Sequence, residues 1–192
     1  MRNHNRNGGR DVAMLLAGVA AGALGSRLLP PMIAVATGSA RARKSGDPFE
    51  KLSADHREIL SLLDSMVANS DGSNVRRASL FLMLKRKLGK HALAEEDVVY
   101  PILHAQGAGA GSAESKDLYD EHADMKILLF ELEQRLMAGS DWSEPIHSLR
   151  ELVSSHIDEE EQVVFPRLRE LMDQEKRTMV SGQISREEAL IL

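Results

Sequence analysis

HALAEEDVVYP, from His91 to Pro101, and HIDEEEQVVFP, from His156 to Pro166, match at His, Glu-Glu, Val-Val, an aromatic residue and Pro without a gap. A charged motif is therefore duplicated within one chain. Each copy follows an isolated acidic-His pair, Asp55-His56 in the first half and Glu121-His122 in the second, at His-to-His separations of 35 and 34 residues. The chain reads as two similar helical hairpins.

The apolar spacing predicts four helices. The first carries Leu52, His56, Ile59, Leu63 and Met66 at alternating steps of four and three, and DGSN (Asp71 to Asn74) breaks it. The second runs from about Val75 to about Ala105 with Leu80, Leu84, Leu88, His91, Glu95 and Val98 along one stripe, and GAGAGSAES (Gly107 to Ser115) ends it. The third uses Leu118, His122, Met125, Leu129, Leu132 and Leu136 and stops at Gly139-Ser140-Asp141. The fourth uses Leu149, Val153, His156, Glu160 and Val163 and continues past Pro166 toward Met179. Pro101 and Pro166 each remove a backbone donor, so both helices should bend or reset there. Short connections make neighbouring helices antiparallel, and no segment alternates with period two. The expected fold is all-α: an up-down-up-down antiparallel four-helix bundle behind a helical or disordered apolar leader. Its expected limits are a leader and linker over 1–46, the bundle over 47–180 and a C-terminal tail over 181–192.

Four His and two Glu occupy seam positions in these helices and so point into the core. His91 and Glu95 are four apart, as are His156 and Glu160, which stacks each pair on one helix face. Each hairpin then offers His, His and Glu. An isolated carboxylate in a dry core costs several kcal/mol or is neutralised by a raised pKa. A divalent metal removes that cost. Imidazole with carboxylate and no thiolate suits iron, manganese or zinc, and two Glu shared between two sites can bridge a metal pair. His4, His104 and His147 fall off the seam. Glu96, Glu159 and Glu161 read as solvated flanks able to bond a ligating His from behind, and Tyr100 and Phe165 read as core aromatics.

Composition narrows the alternatives. Of 24 Lys or Arg and 29 Asp or Glu, residues 1 to 45 hold seven basic residues against Asp11 alone, leaving 17 basic and 28 acidic residues in an acidic body. That charge, with one Trp, two Tyr and four Phe, lacks the basic stripe and stacking aromatics of a nucleic-acid binder. There is no Cys, which excludes disulfides, thiolate zinc sites and iron-sulfur clusters. The leader is uncharged from Val12 to Ser26 before Arg27 and Pro30-Pro31 interrupt it. Fifteen residues fall short of the ~20 that span a bilayer. A loosely ordered leader on a cytoplasmic protein ranks first, a membrane tether through residues 12–38 second and an export signal third. ARARKSGDP (Ala40 to Pro48) is a polar linker whose Asp47-Pro48 is suited to open the first helix.

A lone His, then His-x-x-x-Glu, then a second lone His and His-x-x-x-Glu resembles the hemerythrin family in its HHE cation-binding branch, over roughly residues 48 to 175. The resemblance implies a non-haem di-iron centre within a four-helix bundle. It implies His56, His91, His122 and His156 as terminal ligands and Glu95 and Glu160 as bridges, with two iron ions as cofactor and manganese or zinc as alternatives. Oxygen-carrying hemerythrins place a further His four residues after the third-helix His, where this chain has Lys126. A water, a carboxylate such as Glu121, or an open position would replace it. Those proteins also space the last His and carboxylate by five residues, which would select Glu161. The four-residue step favours Glu160, which keeps the His face and matches Glu95. Three functions are consistent with this pattern. The first is a binding protein for a small diatomic ligand or peroxide, or an iron holder. The second is a di-iron oxidase or peroxidase, and the third is a membrane-associated structural adaptor.

Overall fold

The computed structural model describes residues 46–106 and 110–191; the apolar leader, the Gly107–Gly109 part of the glycine-rich linker and the last residue lie outside them. The helices are α1 (Pro48–Ala68), α2 (Asn74–Ala94), α3 (Tyr100–Ala105), α4 (Ala110–Ala138), α5 (Ser143–Glu159), α6 (Phe165–Glu170) and α7 (Gln174–Glu188). Five-residue π turns, π1 (Glu95–Val99) and π2 (Glu160–Val164), join α2 to α3 and α5 to α6. All secondary structure among the described residues is helical, arranged as a bundle.

Local chemistry sets the ends. The Asp47 carboxylate accepts the Phe49 N–H at 2.8 Å with Pro48 in the first turn, and Ser73 Oγ accepts the Arg76 N–H inside the DGSN break. Each satisfies a backbone donor that has no partner within its helix. Gly139, at φ 66, closes α4 in the left-handed conformation that glycine adopts without a Cβ penalty.

Both copies of the duplicated motif depart from the regular helix expected there. Tyr100 N–H bonds Glu95 O, and Phe165 N–H bonds Glu160 O, one residue further back than in an α-helix. The following prolines have no N–H to continue an α ladder, and each opens a fresh α segment in its first turn. The Glu96 carbonyl released by the wider turn accepts the Tyr119 hydroxyl at 2.6 Å. The extra residue also rotates the seam. Val163, expected in the core, is 50% exposed, and Val164 is buried in its place.

Two other expectations are corrected. Helix α4 begins inside the presumed linker, at Ala110, because its first turn packs against α3. A Cβ on Gly111 would lie 2.7 Å from the Leu103 carbonyl oxygen, so this glycine serves a close approach of two backbones. The fourth expected helix ends at Glu170 rather than near Met179. Asp173 caps a separate helix, α7, by accepting the Lys176 N–H at 2.8 Å. Helix α7 packs on α1, α2 and π1, burying Val180 and Ile184, and residue 180 falls within it.

Two apolar clusters result. One gathers Ile59, Leu63, Leu84, Leu132, Leu149 and Val153 around Trp142; the other gathers Phe49, Leu52, Leu103, Leu118, Phe165 and Ile184. On each arm the seam His or Glu falls between a residue of one cluster and a residue of the other: His56 between Leu52 and Ile59, His122 between Leu118 and Met125. A polar layer thus lies between two dry ones.

Candidate metal centre

Each principal arm contributes to that layer. Helix α1 brings His56, α2 brings His91, π1 brings Glu95, α4 brings His122, α5 brings His156 and π2 brings Glu160. All six side chains are at most 2% exposed. His91 Nε2 lies 2.9 Å from Glu95 Oε1, while His56 Nε2 lies 3.6 Å from the same oxygen and 3.2 Å from Glu160 Oε2. On the other side His122 Nε2 lies 3.6 Å from Glu95 Oε2 and His156 Nε2 3.5 Å from Glu160 Oε2. The two imidazole Nε2 atoms there are 3.2 Å apart.

These atoms fall into two groups able to hold a cation, with donor atoms in each within 4.8 Å of one another: His56, His91, Glu95 and Glu160, and Glu95, His122 and His156. Each group takes both His of one hairpin, and Glu95 belongs to both. Glu160, rather than the side chain after it, faces the cluster. The donor chemistry passes a direct test of fit. His56 Nε2, both nitrogens of His91, both oxygens of Glu95 and Glu160 Oε2 are buried and make no hydrogen bond among the described residues, although they crowd within ion-pair distance. Buried polar atoms are nearly always satisfied. Atoms that converge without bonding one another suit a shared cation.

Electrostatics without a cation point the same way. Burial pushes the His56 pKa down, but hydrogen bonds and charge from Glu160 and Glu95 outweigh it and raise it to about 10. His156 is raised as well, its burial overcome by Glu160 and Glu121. Burial acts to raise Glu95, yet His91 and His56 hold it well below the usual carboxylate range. Protons on imidazole therefore stand in for the positive charge that the carboxylates require.

Carboxylates behind the imidazoles orient them. His56 Nδ1 bonds Glu161 at 2.8 Å, His122 Nδ1 bonds Glu96 at 3.0 Å and His156 Nδ1 bonds Glu121 at 2.6 Å. Such bonds fix which ring nitrogen is free to bind metal. Glu96 and Glu161 are thus more than solvated flanks, and Glu121 reaches a ring rather than the cluster. Lys126 bonds Glu96 at 2.7 Å and so braces the support of His122. The duplication fails among these anchors at Asp55: this counterpart of Glu121 is held by Lys87 at 2.6 Å, and His91 Nδ1 has no bond. His104 and His147 are exposed and apart from the cluster, and His4 lies outside the described residues.

Tyr100, read from sequence as a core aromatic, reaches the cluster. Its hydroxyl is 3.0 Å from Glu160 Oε1, 3.1 Å from His122 Nε2 and 3.4 Å from His156 Nε2. Burial and the charges of Glu160 and Glu95 raise its pKa well above the usual phenol value. Phe165, its counterpart, stacks on the His56 ring at 5.7 Å. The Tyr-for-Phe difference between otherwise matched repeats was the available signal.

Residues 41–168 match the model of the hemerythrin HHE cation-binding domain. The chain belongs to this family. Two curated proteins are similar to it. A protein of Nostoc sp. named a DNA nickase is 25% identical over 122 residues, 64% of this chain and 33% of that protein. A protein of Schizosaccharomyces pombe named an uncharacterized hemerythrin-like protein is 26% identical over 133 residues, 69% of this chain and 64% of that protein. The chain thus spans about a third of the first relative and just under two thirds of the second. No solved structure matches. The six residues of the duplicated hemerythrin pattern are the six that the fold gathers.

Proposed function

We propose that this chain is a non-haem di-iron protein that binds or senses a small diatomic ligand or peroxide. Its fold is read as the up-down-up-down antiparallel bundle of the hemerythrin type, extended by α7. His56 and His91 serve one iron and His122 and His156 the other, with Glu95 and Glu160 between them. The observation that carries this reading is a set of buried carboxylate and imidazole atoms from α1, α2, π1 and π2 that converge without hydrogen bonds to one another, beside His122 and His156. Bound there, iron would supply a redox-active Lewis-acidic centre in a water-poor layer. The protein's own part is to fix the imidazoles from behind through Glu96, Glu121 and Glu161, and to exclude bulk water with the two apolar clusters.

Nitrogen and oxygen donors without thiolate also accept manganese or zinc, and iron is preferred for the redox range that imidazole and carboxylate support. DNA nicking is said of the Nostoc relative, and the acidic body of this chain gives no electrostatic support for carrying it over. No helix among the described residues is long and apolar enough to cross a membrane.

The test is metal analysis of protein made under iron-replete conditions, with absorption spectra before and after nitric oxide or peroxide. Two irons per chain and a ligand-dependent spectral change are expected. Fewer than one metal per chain would end the reading.

A further inference from the structure

The duplicated motif relates the two cation groups, yet the aromatic at its end differs: it is Tyr100 in one copy and Phe165 in the other. We propose that Tyr100 is itself a metal ligand, its phenol oxygen joining His122 and His156 at one of the two positions and leaving the other without a phenolate. This rests on the di-iron reading above.

The geometry is that of a coordination polyhedron. Donors about 2.1 Å from one metal stand roughly 3.0 Å apart at a right angle and roughly 3.4 Å apart at the tetrahedral angle. The Tyr100 hydroxyl stands at 3.0, 3.1 and 3.4 Å from Glu160 Oε1, His122 Nε2 and His156 Nε2, and those two nitrogens stand 3.2 Å from each other. The phenol oxygen and the two imidazole nitrogens, at mutual edges of 3.1, 3.4 and 3.2 Å, are spaced to share one cation, with Glu160 Oε1 3.0 Å from the phenol oxygen. With its one proton donated to Glu160, the phenol oxygen turns its lone pairs toward the two imidazole nitrogens, the side on which a cation shared with them would sit.

The backbone brings the ring there. In an α-helix a residue five positions after Glu95 faces about 140° away from it. In a π turn of roughly 4.4 residues it faces only about 50° away. The Tyr100 N–H to Glu95 O bond is what places the phenol on the ligand face. The same turn in π2 places Phe165 against His56, where it offers only a ring. Coordination releases the phenol proton to solvent, as metal binding to other protic ligands does, and the cation's charge opposes the burial that disfavours a phenolate.

The experiment loads the full chain, its Y100F variant and its Y119F variant with iron, oxidises them to the ferric state, and records metal content, visible absorption and resonance Raman spectra. The wild type should hold two irons per chain and show a phenolate-to-iron charge-transfer band with enhanced tyrosine ring modes. Y119F should keep the band. Since the chain has only two tyrosines, that result assigns the band to Tyr100 even if Y100F folds poorly. Folded Y100F should lose the band and hold its second iron at least ~10-fold more weakly. Two irons with no phenolate band in the wild type, or a band that survives in Y100F, would overturn the ligand assignment and leave the di-iron reading standing. Fewer than one metal per chain would overturn both.

Discussion

At the residue scale the duplicated motif is most informative where its copies differ. Glu121 and Asp55 precede equivalent histidines, but Glu121 bonds the far nitrogen of His156 whereas Asp55 is engaged by Lys87. Three of the four imidazoles are therefore anchored from behind and His91 is not. Removing such an anchor typically costs 10–100-fold in metal affinity. Glu161→Gln and Glu121→Gln should each weaken iron retention within that range in a chelator competition, since an amide keeps the shape and loses the charge. Asp55→Asn should leave it unchanged, because its carboxylate serves a lysine. Equal losses in all three variants would mean that general negative charge, rather than ring orientation, holds the metal. The ligand candidates were legible in sequence because His and Glu on an apolar seam break its pattern. Their anchors were legible only as a group that also held Glu159 and left out Glu121, because Glu96 and Glu161 lie next to acidic neighbours of the same kind, and only the fold selects which carboxylate meets a ring.

At the element scale, periodicity located four helical arms, since burying an apolar stripe determines where each must run. It missed the π turns because a single inserted residue shifts the seam without erasing it: Val98 and Val99 are both buried in one copy, and Val164 replaces Val163 in the other. It missed α7 as a separate helix because its polar residues outweigh a short apolar face on which Val180 and Ile184 do the packing. That face joins the apolar cluster beneath π1. Ile184→Ala should lower unfolding free energy by about 2–5 kcal/mol, the range for a large side chain removed from a packed core, read as a lower urea midpoint at unchanged slope. A shift under 1 kcal/mol would show α7 to be an appendage. Glycine composition misled in the opposite direction. At Gly111 the absence of a Cβ allows α4 to approach the Leu103 carbonyl, so Gly111→Ala should cost about 1–3 kcal/mol, visible as a lower melting temperature. A stabilised variant would mean that the helix gain in Ala outweighs the contact.

Over the whole molecule, the polar layer makes the fold depend on what neutralises its carboxylates. Without metal that role falls to protons on His56 and His156, both of which titrate above the ordinary imidazole value. A group whose folded pKa is raised contributes stability that is complete below its unfolded value and lost as pH climbs through the folded one. For His56 that window runs from about 6.5 to about 10. The depressed Glu95 does not offset the loss, since its contribution disappears only as pH falls through its lowered value. Metal-free protein should therefore melt at progressively lower temperature from near pH 6.5 toward pH 10. Iron bound to these atoms would reverse the sign, because ligands must be deprotonated to bind a metal and proton competition weakens as pH rises. Stabilisation by a ligand grows with the ratio of its free concentration to its dissociation constant, so the gap between iron-loaded and metal-free melting temperatures should widen across the same window. Melting curves in chelator and in iron from pH 6 to pH 9 measure both trends. A constant gap would mean that protons and metal do not share these atoms, and a metal-free protein that gains stability up to pH 9 would remove His56 as the internal cation.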